Sequence, residues 1–158
     1  MKKLVLLVTL VVLGMGVPVA VAAAEVSAND VSVAILKDWA SEKYGCKIDK
    51  DGDLCVKQGD TSMYVQILPK VKLIHLCCFF EPYNKRSINE MIQFANKFND
   101  NKRFVRVSID PEDGSTTCDY YLPYIGGVNS ENFLDAIDWL FVMQDAFEKF
   151  VIAGGEED

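Results

Sequence analysis

The chain carries a single histidine, His75, and lacks G-x-S-x-G, H-E-x-x-H, C-x-x-C and any glycine-rich phosphate loop. Each absence removes a chemistry. A nucleophile–histidine hydrolase would have to draw on His75, which lies inside an apolar strand-like run rather than a loop, and phosphate cradles and zinc-protease helices have no template here. Basic residues are also scarce: 16 Lys and Arg stand against 23 Asp and Glu, a formal charge of −7. No basic stripe is interleaved with aromatics. An acidic surface of this kind repels phosphates and anionic lipid, which excludes nucleic acid as a partner class. Internal repeats, linkers and low-complexity tracts are absent as well.

One long apolar run is present, at the start. Lys2 and Lys3 precede Leu4 to Leu13, then Gly14, Gly16, Pro18 and a cluster of alanines. Charged, apolar, then small is the order of a cleaved secretory signal. Cleavage fits after Ala22 or after Ala24, and the second is preferred because polar sequence begins at Glu25. The competing reading is an uncleaved anchor, since Leu4 to Ala24 covers about 21 residues, enough to cross a bilayer; Gly14, Gly16 and Pro18 favour cleavage. A signal at 1–24 leaves about 134 residues, the size of one domain, read as 25–153 with an acidic, frayed tail at 154–158. Its loss makes the net charge two units more negative. No later run is long and apolar enough to span a membrane, so the expected product is periplasmic or secreted, with no stable membrane insertion.

Periodicity gives the order of elements. A helix begins near Val31, capped by Asn29 or Asp30, with Val31, Ile35 and Trp39 on one stripe and a stop at Gly45. Cys46 to Asp49 and Leu54 to Lys57 flank Lys50-Asp51-Gly52 as a hairpin, and Met63, Val65 and Ile67 alternate in a third strand. Val71 to Phe80 is apolar on both faces. Such a strand is either covered on both sides or covered on one and used for association on the other. Ser87 and Glu90 form a capping box for a helix with Ile88, Met91, Ile92, Ala95 and Phe98 on its stripe, ended by Asn99-Asp100-Asn101. Phe104 to Asp110 and Ser115 to Leu122 read as a second hairpin. A long last helix capped by Asn129 or Ser130 buries Phe133, Ile137, Leu140, Phe141, Phe147 and Val151. The class is α+β, order α-ββββ-α-ββ-α, with a mainly antiparallel sheet because most links are too short for parallel crossovers.

This order, together with Phe104-Val-Arg-Val-Ser-Ile-Asp110, Pro-Glu-Asp-Gly114 and Gly126-Gly127-Val128 ahead of the last helix, resembles the YbjN family over about residues 30 to 151. That family is labelled a bacterial sensory transduction regulator and is similar in fold to type III secretion chaperones. The resemblance implies a compact, dimer-forming domain that works by contacting proteins, and it brings no catalytic residues to numbered positions. An export signal sets this chain apart from cytoplasmic members.

Several residue groups suggest chemistry of their own. Asp49, Asp51 and Asp53, with Asp60 at the twelfth position, follow the spacing of a calcium loop, but Leu54 stands where glycine should make the bend, so a hairpin turn is the simpler reading. Five cysteines, Cys46, Cys55, Cys77, Cys78 and Cys118, make disulfides plausible outside the cytoplasm, and the odd number leaves one unpaired. Cys118 with Cys77 or Cys78 is the favoured pairing; Cys46 and Cys55 fall on opposite sides of their hairpin. His75 and Cys77 share a strand face, yet two ligands are too few for zinc, and buried cysteines with one satisfied histidine fit better. Glu112 and Asp113 sit on a turn, where carboxylates are usually solvated. Tyr120, Tyr121 and Tyr124 fit either an interface or half-buried packing.

The sequence reading is thus an exported, non-enzymatic domain that binds an unidentified protein partner or a second copy of itself, without a cofactor. Phe79, Leu73 and Tyr121 are its candidate contact residues. A small thiol, redox or metal-dependent protein of the envelope is the alternative, and calcium binding at residues 49–60 a further one.

Overall fold

The computed structural model describes residues 23–83 and 85–156. The expected signal segment therefore lies outside the described residues, apart from Ala23 and Ala24, as do Glu157 and Asp158. The elements run β1 (Glu25–Val26), α1 (Val33–Ser41), β2 (Gly45–Ile48), β3 (Leu54–Gln58), β4 (Thr61–Leu68), β5 (Leu73–Phe80), α2 (Ile88–Asn101), β6 (Arg106–Ile109), β7 (Thr116–Pro123), β8 (Val128–Asn129) and α3 (Ser130–Ile152). The class is α+β. Six strands make one antiparallel sheet in the order β2-β3-β4-β5-β7-β6. The α2 crossover thus sends β6 to the edge and brings β7 back beside β5.

One addition was not legible in the sequence. Glu25 and Val26 pair with Val128 and Asn129 as a separate two-stranded ribbon, and the Ala24 carbonyl accepts from Ser130 N at 2.7 Å. The segment around Ala24 is thereby tied to the first turn of α3, where amide groups need outside acceptors. Gly127 lets the ribbon close. Its φ is +114°, and a Cβ there would stand 2.5 Å from the Val26 carbonyl oxygen.

Helix ends follow the chemistry of their caps. α1 starts two residues later than the pattern suggested, capped by Ser32, because Asp30 is taken up in a turn with Ser27. Its buried residues are Leu36, Trp39 and Ala40. The Ser87/Glu90 capping box on α2 is complete, both reciprocal bonds being present. α2 ends at Asn101, within the expected Asn99-Asp100-Asn101 stop, and the Asn99 amide bonds both peptide groups of Val107 at 2.8 Å, occupying the backbone of edge strand β6. α3 is capped by Asn129. At its other end Gly155 N donates to Phe150 O and Gly154 N to Val151 O, the two bonds of a Schellman stop. Gly155 is buried against Phe94, so the tail expected to fray from residue 154 is part of the helix stop as far as Gly155.

All three helices lie on one side of the sheet, where they pack against β2, β3, β5, β6 and β7. The core is the layer between, and Leu54, Val56, Met63, Val65, Ile74, Leu76, Cys78, Val107 and Cys118 supply its sheet side. Phe133, Ile137, Leu140 and Phe147 of α3 supply much of the helix side, as their spacing predicts.

Candidate functional site

Among the described residues no helix covers the other side of the sheet. Alternation along each strand decides what stands there. The register sets Lys47, Cys55, Tyr64, Cys77, Asp119 and Arg106 in one row, one residue from each strand, with Gln66, His75 and Tyr121 in the next. Phe79 and Leu73 belong to the same face of β5. The three candidate contact residues therefore share one surface: Phe79 is 60% exposed, Tyr121 47% exposed and Leu73 half-buried. Val71 is exposed in the turn before β5 rather than in the strand, since the chain reverses through Lys72 at φ +55°.

Polar and aromatic groups interlock at the centre of this face. His75 Nε2 lies 2.6 Å from Asp119 Oδ1. The His75 ring stacks on Tyr121 with centroids 4.5 Å apart and planes 6° from parallel. Tyr64 meets Phe79 edge-on at 6.0 Å. Gln66 donates to Asp53 Oδ2 at 2.6 Å. Beneath these side chains Cys77 is only 2% exposed. Burial, and then the nearby Asp119 and Asp53 carboxylates, push its thiol up to about 12. No sequence signal points to Asp119, because its meeting with His75 depends on the β5–β7 register.

At the end of β5 a groove of about 360 Å³ opens, lined by Phe79, Phe80, Met91, Phe147 and Val151 around buried Gln144. The Gln144 Nε2 donates to Thr61, while its Oε1 has no hydrogen-bond partner among the described residues. Phe79 thus borders both the open face and the groove.

The remaining candidates are separated. Asp49 Oδ1 accepts from Asp51 N and Asp53 N at 2.9 and 3.0 Å, closing the β2–β3 turn around Gly52 at φ +90°. Asp60 lies in the next turn, at the far end of β3, whose five residues span about 17 Å. The calcium set is therefore not assembled, because a strand occupies the place of the loop's second half. All five cysteines are free thiols. Cys78 faces Cys118 directly across β5 and β7 on the helix-covered side, whereas Cys77 points to the opposite face, which rules out Cys77 with Cys118. Burial raises the Cys78 and Cys118 thiols, the latter to about 12, the reverse of a reactive thiolate. Tyr124 is buried and Tyr120 half-buried. Glu112 and Asp113 stay on the exposed turn, where the Ser115 amide holds the Asp113 carboxyl below its usual range.

An antiparallel sheet with three helices packed on one face, among the described residues, defines an α+β class. The crystal structure of E. coli YbjN, described as a putative transcription regulator, shares the fold with a TM-score of 0.62 over 74% of this chain and 88% of that one, at 11% identity. The YbjN family model, described as "Putative bacterial sensory transduction regulator", matches residues 20–152. The chain belongs to the YbjN family. No curated protein matches it in sequence.

Proposed function

We propose that this chain is a non-enzymatic binding domain that acts outside the cytoplasm and engages a protein partner through the open face of its sheet. The observation that carries the reading is the exposure of Phe79 and Tyr121 beside half-buried Leu73 on the sheet face that no helix covers among the described residues. Aromatic groups that bring large contact area at little entropic cost are what interface centres favour. Family membership supports a regulatory or binding role, and the raised cysteine thiols favour it over thiol chemistry. The signal-like start of the sequence supports action in a periplasm or outside the cell.

Cross-linked affinity capture of the mature protein from its native envelope fraction tests this, with Phe79→Asp as the matched control. A partner captured by the wild type and lost with the variant is the expected result. Equal capture by both, with Phe79→Asp folded by circular dichroism, would remove the open face from the binding surface. A second copy of the chain is the other admissible partner, read as a concentration-dependent sedimentation coefficient that Phe79→Asp abolishes.

A further inference from the structure

We propose that His75, Cys77 and Asp119 form a binding site for a zinc-type transition-metal dication on the open sheet face. His75 and Cys77 stand two residues apart on β5, and Asp119 lies directly across from Cys77 on β7. One ligand atom from each falls within 4.8 Å of both others. Ligand atoms around tetrahedral zinc are about 3.3–3.8 Å apart, from Zn–N, Zn–O and Zn–S lengths of about 2.0–2.3 Å. The cluster needs only modest side-chain movement: the His75–Asp119 contact of 2.6 Å opens as the metal replaces that hydrogen bond, the Cys77 thiol proton passes to solvent as the metal binds, and the wider separations close.

The donor set chooses the metal. One sulfur, one nitrogen and one oxygen suit a borderline ion and not calcium or magnesium, which take oxygen. Three protein ligands leave a fourth position for water. Thiolate and carboxylate together balance the charge of a dication. The frame is stiff, because β5 and β7 are central and pair along the whole length of β5, and ligands on strands are held more closely than ligands on loops. Tyr121 fixes the plane of His75 by stacking. A sequence scan finds only the first two ligands, since Asp119 is 44 residues beyond His75. The site stands apart from the partner-binding reading: either can fail while the other holds.

Cobalt(II) is the probe, added alone to the mature protein carrying Cys46→Ser, which removes the one partly exposed thiol. One equivalent is expected to give a sulfur-to-cobalt charge-transfer band with tetrahedral visible absorption, both displaced by zinc. Cys77→Ser is expected to abolish the charge-transfer band. His75→Asn and Asp119→Asn are expected to weaken cobalt binding about tenfold or more, at least the loss seen when supporting groups of metal sites are removed. Absence of the band in the starting protein, or its survival in Cys77→Ser, overturns the site. If Cys77→Ser does not fold, unchanged cobalt affinity in both His75→Asn and Asp119→Asn overturns it instead.

Discussion

The two sides of β5 differ more than its sequence suggests. Ile74, Leu76 and Cys78 point under the helices and are wholly buried, while His75, Cys77 and Phe79 point the other way into a mixed polar and aromatic surface. On the covered side the strand neighbours of these three are Val65, Ile67, Cys118, Tyr120 and Leu122, and the gain is stability. On the open side the neighbours are Tyr64, Gln66, Asp119 and Tyr121: Asp119 bonds His75, Tyr121 stacks on it, Tyr64 meets Phe79 edge-on and Gln66 donates to Asp53, and none of this closes the surface. Apolar composition therefore marks two jobs in one strand. Cross-strand partners decide which side does which.

The largest expected effect tests this contrast directly. Leu76→Ala should cost about 2–5 kcal/mol, the range for a large-to-small change at a filled core site. Phe79→Ser should change stability by no more than about 0.5 kcal/mol, as at other exposed positions. Urea midpoints at fixed protein concentration compare the two. A Phe79 cost comparable to that of Leu76, growing with protein concentration, would show that a second copy covers the open face.

Next in size is a pair of adjacent glycines. Gly127→Ala should cost about 1–3 kcal/mol, the range for a strained backbone conformation, because it meets the Val26 carbonyl at a φ of +114°. Gly126 has open space around its Cβ position, so Gly126→Ala should stay within about 0.5 kcal/mol. Thermal melting of the two variants separates them. Equal losses would mean that the β1–β8 ribbon is not what requires glycine here.

Much of the fold was legible because periodicity and caps are local. The Ser87/Glu90 box, the Asn129 cap and the α3 stripe can be read without knowing any neighbour. That β5 would be covered on one side with Phe79 on the other was one of the few arrangements such an apolar strand leaves open. What depended on register was not. Asp119 meets His75 through β7 returning beside β5 after the α2 crossover, and Asp60 leaves Asp49 because β3 runs straight between them. Gly155 was read as part of a frayed tail because the Phe94 ring that it packs against comes from another helix. The ribbon of Glu25 and Val26 is two residues long, too short to show any period.

The smallest expected effect concerns the polar tie within the helical layer, the counterpart of the His75–Asp119 pair on the open face. Lys43 and Tyr44, just beyond α1, both donate to the Asp138 carboxylate on α3. Burial raises the Asp138 pKa, but the bonds from Lys43 and Tyr44 together outweigh it and hold the group below its ordinary value. Burial and the bond to Asp138 push the Tyr44 hydroxyl up to about 12. The two shifts act at opposite ends of the pH scale. Because Asp138 ionises more readily in the folded chain, its stabilisation is present above the unfolded carboxylate value of about 3.9 and fades as pH falls through the lower folded value. Because Tyr44 holds its proton more tightly when folded, its stabilisation is complete below the unfolded value of about 10 and fades as pH rises toward 12. Side chains 49% and 39% exposed at Lys43 and Asp138 keep the tie to less than about 1 kcal/mol. Asp138→Asn should therefore flatten the acid limb of the stability profile, and Tyr44→Phe the alkaline limb, both by that small amount in urea titrations across pH. An acid limb unchanged in Asp138→Asn would place the titrating carboxylate elsewhere in the fold.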